Sequence, residues 1–228
     1  MSPSSSPALI SPERLRSDLY ELSETGQPPL VISVLASLVE RVIVRNERVG
    51  VGGECRRTRF ESSTDRVLDI SVRCFLERIF RYARVAPYVY VVAYVYMDRL
   101  SHFNPHFRIS SANVHRLLIT AIMVASKFLE DLNYRNSYFA EVGGLSTEEM
   151  NSLEIDFLFM MRFKLHVNVS VFESYCMHLE REVSIGGGYQ IERTLRFMCA
   201  GETNSPPSSN KHKQIRRPFN QQLAARVL

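Results

Sequence analysis

Cysteine is scarce in this chain and badly spaced for chemistry. Its four cysteines, Cys55, Cys74, Cys176 and Cys199, lie far apart with no CxxC pair, which excludes a zinc ribbon and a thioredoxin-type redox motif. Scattered thiols of this kind fit a reducing compartment. No apolar run is long enough to span a membrane, because the most apolar stretch, Asn113 to Leu129, is interrupted by Thr120 and Ser126. The opening residues, MSPSSSPALISPERLR, lack a basic start followed by an apolar core. No secretory leader is expected, and the protein is expected inside the cell, in nucleus and/or cytoplasm. No GxSxG, HExxH, Walker or kinase catalytic signature occurs. Gly50, Gly52 and Gly53 are not followed by Lys-Ser or Lys-Thr, so no phosphate-cradling loop is present. The expectation is a protein that is not an enzyme, with no cofactor and no small-molecule substrate.

A concentrated basic stripe is missing too. The net charge is +4 and the basic residues are spread over many segments, which argues against nucleic acid as a partner. His102 and His106 are spaced like metal ligands, yet Pro105 between them breaks a shared helix face and no Cys or carboxylate cluster accompanies them. No metal site is expected.

What the chain does have is helical periodicity. In Asn113 to Leu129, Leu118, Ile122, Ala125 and Leu129 form one apolar row and Leu117, Ala121, Val124 and Phe128 another. A helix that is apolar nearly all round is surrounded by other helices. This predicts an all-α bundle of five to six helices around that segment. An extra N-terminal amphipathic helix runs from Leu30 to Arg45, with Val31, Val34, Leu35, Leu38, Val42 and Val44 on its apolar side. Asp69 is placed to cap the helix VRCFLERIFRYA. Pro87 suits the first turn of PYVYVVAYVYMDRLS, which is read as helix despite its alternating tyrosines and valines. Ser146 with Glu149, and Ser170 with Glu173, have capping-box spacing.

Four regions follow. Residues 1–29 read as an irregular Ser/Pro-rich arm and 30–65 as the N-terminal helix with a Gly/Arg-rich link. Residues 66–183 form the folded box, and 184–228 a mostly flexible basic tail.

The phrases FLERIFRYA, VVAYVYMDRLSH, NVHRLLITAIMVASKFLED, YFAEVGGLSTEEMN and LEIDFLFMMRFKLHV, in this order, resemble the cyclin box. More narrowly, they are similar to the plant P-type (U-type) cyclins, relatives of a fungal cyclin group. The resemblance implies a single cyclin box that binds and activates a cyclin-dependent protein kinase, in cell-cycle or nutrient/phosphate-signalling control. It also implies the contact residues. Lys127 and Glu154 would make polar contacts with the kinase, while Phe128, Leu158, Phe163 and Leu165 would pack on its regulatory helix. Arg73 and Asp98 would form an ion pair holding the box together. Two departures stand out: the stretch after Val183 is too short for a second box, and VRCFL is not the family's usual substrate-docking word.

Plainer readings stand beside these. Lys127 can be a snorkelling lysine at a helix C-terminus, Glu154 a solvated helix position, and Asp98 and Arg73 simple helix-end charges. KHKQIRRP, from Lys211 to Pro218, reads equally as a nuclear-import patch or a solvated tail. An alternative function is a helical nucleic-acid-associated transcription factor built on a cyclin-like box, which would bind duplex DNA with steep salt dependence.

Overall fold

In the computed structural model, residues 12–20, 27–49, 58–61, 69–131 and 134–183 are described; they contain eight helices and no strand. These are α1 Pro12–Tyr20, α2 Leu30–Val49, α3 Val72–Ala83, α4 Pro87–Phe103, α5 Val114–Leu129, α6 Asn136–Gly143, α7 Thr147–Met160 and α8 Val169–Glu182. The described residues all belong to one compact unit. The expected all-α fold is what the structure shows.

α5 is the axis. It is buried from Leu117 through Ser126, and α3, α4, α6 and α7 all pack on it. α4 is its largest neighbour and is nearly as dry, with Val89 to Met97 all buried. Taking so much of α5 out of water is tolerable only because its polar groups are paired. Thr120 Oγ1 donates to the Arg116 carbonyl at 2.7 Å and Ser126 Oγ to Glu130 at 2.6 Å. Asn113 donates to the Arg108 carbonyl at 2.8 Å, and His115 Nε2 meets the Ile70 carbonyl at 2.9 Å.

α1, α2 and α8 close the other side of α4. Here the structure departs from the irregular arm expected for residues 1–29. A nine-residue helix of largely polar sequence is marginal in isolation, and PERLRSDLY carries only two leucines for a core. Leu15 and Leu19 are nonetheless fully buried, and Arg16 bridges to Glu180 at 2.7 Å and Glu173 at 3.1 Å on α8. Asp18 then accepts the Leu30 N–H at 2.9 Å, so α1 supplies the polar cap that the proline-flanked start of α2 lacks. The folded region therefore begins well before residue 66.

The link after α2 is likewise anchored where it is described. Phe60 is fully buried, edge-on to Phe107 and Phe157.

Two caps differ from expectation. Ser71, not Asp69, caps α3, its hydroxyl accepting the Cys74 N–H at 3.1 Å. Asn168 caps α8 by accepting the Val171 N–H at 2.8 Å, so Ser170 lies inside the helix and makes no box with Glu173. The Ser146–Glu149 box is present in both directions, and Arg116 of α5 donates to Glu149 at 3.0 Å. The Ser146 N–H and the Arg116 guanidinium hold the Glu149 carboxyl below its ordinary range.

Burial lowers the pKa of His115, and its bond to the Ile70 carbonyl offsets this only in part. His178 on α8 is lowered for the same first reason. The unfolded chain takes up protons near pH ~6.5 that the native state refuses, so this part of the stability is full above that pH and declines as pH falls toward the folded pKa values. The melting temperature of the wild type should therefore fall relative to that of His115→Gln between about pH 7 and pH 5.5. An equal slope in the two proteins would contradict the assignment.

The tail from residue 184, including KHKQIRRP, lies outside the described residues. No helix among the described residues is long and apolar enough to cross a membrane.

Candidate partner-docking face

Three helix segments converge at one end of the bundle: the last turn of α5, the start of α6 and the middle of α7. Lys127 Nζ donates to Glu154 Oε1 at 2.7 Å. Their side chains are 31% and 19% exposed, so the pair is neither a loose surface contact nor a buried one. Asn136 completes the group, its amide donating to Glu154 Oε2 at 2.6 Å and to Asn151 Oδ1 at 2.8 Å. The α5 C-terminus places its carbonyl dipoles beside the Lys127 ammonium, and α5 and α7 pack directly, which sets the register.

The last turn of α5, the helix α7 and the turn after it also leave apolar side chains in water. Phe128, Leu129, Ile155, Phe159 and Phe163 are all exposed, Phe159 at 67% and Phe163 at 61%. Phe159 and Phe163 meet edge to face at 5.3 Å. Leu158 and Leu165 are half-buried. A part-exposed charged pair and uncovered aromatics on the same helices have the composition found at protein interfaces.

The structure thus brings Lys127 and Glu154 together and sets Phe163 against Phe159. Phe128 lies one residue beyond Lys127 and faces solvent. Sequence reasoning missed Asn136, Ile155 and Phe159. A signal was there for the last two: LEIDFLFMM is apolar on more sides than a helix packed by one face can bury.

The Arg73–Asp98 ion pair is not formed. Arg73 donates to Glu77 at 2.8 Å, one turn along the same helix, and its charge acts on Glu40 of α2. Asp98 instead accepts from the Tyr175 hydroxyl at 2.7 Å, joining α4 to α8. Burial raises the Asp98 pKa, and the Tyr175 bond counteracts this. A neutral donor suffices where full ionisation is penalised, and Arg73 finds a carboxylate without crossing the bundle. His102 and His106 are both exposed, and no group of three potential metal ligands occurs among the described residues.

Fold and face together define a helical bundle with uncovered aromatic side chains. The Cyclin family model matches residues 30–165, which takes in α2 and ends just past α7. The chain is 61% identical over 200 residues to Cyclin-U2-1 of Arabidopsis thaliana, covering 86% of this chain and 89% of the relative. It is 59% identical over 211 residues to Cyclin-U2-2 of the same plant, covering 86% and 87%. It is 57% identical over 204 residues to Cyclin-P2-1 of Oryza sativa subsp. japonica, covering 84% and 93%. The chain belongs to the cyclin family, as a plant cyclin of the U/P type.

Proposed function

We infer that this cyclin is the non-catalytic subunit of a cyclin-dependent protein kinase and activates it by docking through the face built on Lys127 and Glu154. The observation that carries this reading is the 2.7 Å ion pair between α5 and α7, together with exposed Phe128, Ile155, Phe159 and Phe163 on those two helices and the turn after α7. A kinase whose regulatory helix is out of position lacks the Lys–Glu ion pair that holds the nucleotide phosphates. A rigid apolar surface that binds only the helix-in form shifts the population toward activity. Phe128, Leu158, Phe163 and Leu165 supply apolar contact, and the charged pair supplies hydrogen bonds to partner backbone groups. The complex works inside the cell, in nucleus and/or cytoplasm, in cell-cycle or nutrient and phosphate-signalling control.

The test is direct. Purified protein added to a panel of purified plant cyclin-dependent kinases should raise phosphorylation of a histone-like peptide by at least one of them. The absence of any rise across the panel would defeat the activating role.

A further inference from the structure

The turn that follows α7 is held in an unusual conformation. Arg162 and Phe163 are consecutive non-glycine residues with φ of 52° and 56°, the left-handed region that a bulky L residue seldom enters. Phe163 N–H closes onto the Leu158 carbonyl at 3.0 Å and Arg162 N–H onto the Phe159 carbonyl at 2.9 Å. Those local bonds are joined by a set reaching across from α4 and its C-cap. Tyr96 donates to the Leu165 carbonyl at 2.8 Å. Arg99 Nη1 donates to the carbonyls of Lys164 at 3.1 Å and His166 at 2.8 Å. The Asn104 amide donates to the Met160 carbonyl at 3.1 Å while also bonding the Leu100 carbonyl at 2.8 Å. Three side chains from α4 and its C-cap thus bind four carbonyls of a single seven-residue turn. Its product is an outward Phe163 ring set edge-on to Phe159.

We propose that Tyr96, Arg99 and Asn104 are positioning residues for partner binding, locking the 160–166 turn so that Phe159 and Phe163 form a preset ridge for an amphipathic helix of the kinase. The proposal rests on the docking reading above. Strain that persists in an exposed loop needs surroundings that over-determine it, and the α4 donors are those surroundings. Without them the turn samples other conformations, and apparent affinity is reduced in proportion to the fraction of molecules still holding the ridge.

Arg99→Met and, separately, Asn104→Ala test this in the full-length chain, by amide hydrogen exchange and by titration with a purified plant cyclin-dependent kinase. Arg99→Met should speed exchange across 161–166 by about tenfold or more, leave α2 to α5 protected, and weaken kinase binding about tenfold. Asn104→Ala should act in the same direction and covers the case in which Arg99→Met fails to fold. Adding Arg162→Gly to Arg99→Met should restore a large part of the affinity, because glycine enters the left-handed region freely. Wild-type affinity in both single variants overturns the positioning role while leaving the docking reading intact. So does an affinity loss that comes with faster exchange throughout the bundle and no rescue. A wild-type chain that binds no such kinase overturns the docking reading and this inference with it.

Discussion

Lys127→Ala combined with Glu154→Ala is expected to weaken kinase binding by about 100-fold or more while barely moving the melting temperature. The two halves of that result come from different magnitudes. In the free protein the pair is part-exposed, at 31% and 19%, and ion pairs that solvent still reaches contribute about 0.2–1 kcal/mol. For a chain of this size that is a shift of only a few degrees. Once a partner covers the face, each charge becomes a desolvated hydrogen-bonding group contributing about 1.5–3 kcal/mol. Two such groups correspond to roughly two to four decades in Kd. The double variant is cleaner than either single one. Lys127→Ala alone leaves Glu154, the less exposed member, with Asn136 as its remaining side-chain donor. Part of any loss would then reflect a stranded carboxylate rather than a missing contact. Calorimetric titration beside thermal circular dichroism decides the matter. A double variant that binds as tightly as the wild type removes the ion pair from the interface.

The second large effect separates two phenylalanines on one helix. Phe157 is fully buried against Phe60 and Tyr96, whereas Phe159, two positions on, is 67% exposed. Phe157→Ala should cost about 3–5 kcal/mol through lost burial and the cavity left behind. That corresponds to roughly 10 °C or more in melting temperature. Phe159→Ala removes no core and should leave thermal stability within about 1–2 °C of wild type. It should still reduce kinase affinity by tenfold or more, since a large aromatic at the centre of an interface is the kind of residue on which binding energy concentrates. If Phe159→Ala destabilises the fold as much as Phe157→Ala, its ring is covered in the free protein and the face is not open. If it leaves affinity untouched, the aromatic ridge is not the contact.

Both predictions use information that the sequence held only in part. The periodicity of α5, the proline start of α4 and the Ser146–Glu149 cap were legible because each lies within a few turns of chain. The positions Lys127 and Glu154 came from a resemblance, and their pairing at 2.7 Å from packing of α5 on α7. The turn after α7 was not legible. A run such as MMRFKLH carries no glycine to announce a left-handed residue, and the donors that hold it lie more than fifty positions earlier.

α1 shows the same division. Its nine residues hold too little apolar surface to register as a helix, and Leu15, Leu19 and Arg16 acquire meaning only beside α8, with Arg16 and Glu180 separated by 164 positions. Asp98 offered a charge, and the choice between Arg73 and Tyr175 as its partner depended on which helix α4 turns that face toward.

The sequence by itself determined the all-α fold class, the order of the helices from α2 onward, the apolar axis at α5 and, through its cyclin-like phrases, the family. The helices follow from local periodicity, capping and composition, which need no knowledge of neighbours, and the family from the resemblance those phrases carry. The tertiary structure alone decided where the fold begins, which charges meet, and which aromatics stay in water. Those outcomes depend on groups far apart in the chain, whose encounter is set by how whole helices pack and by the partners that most buried polar groups need.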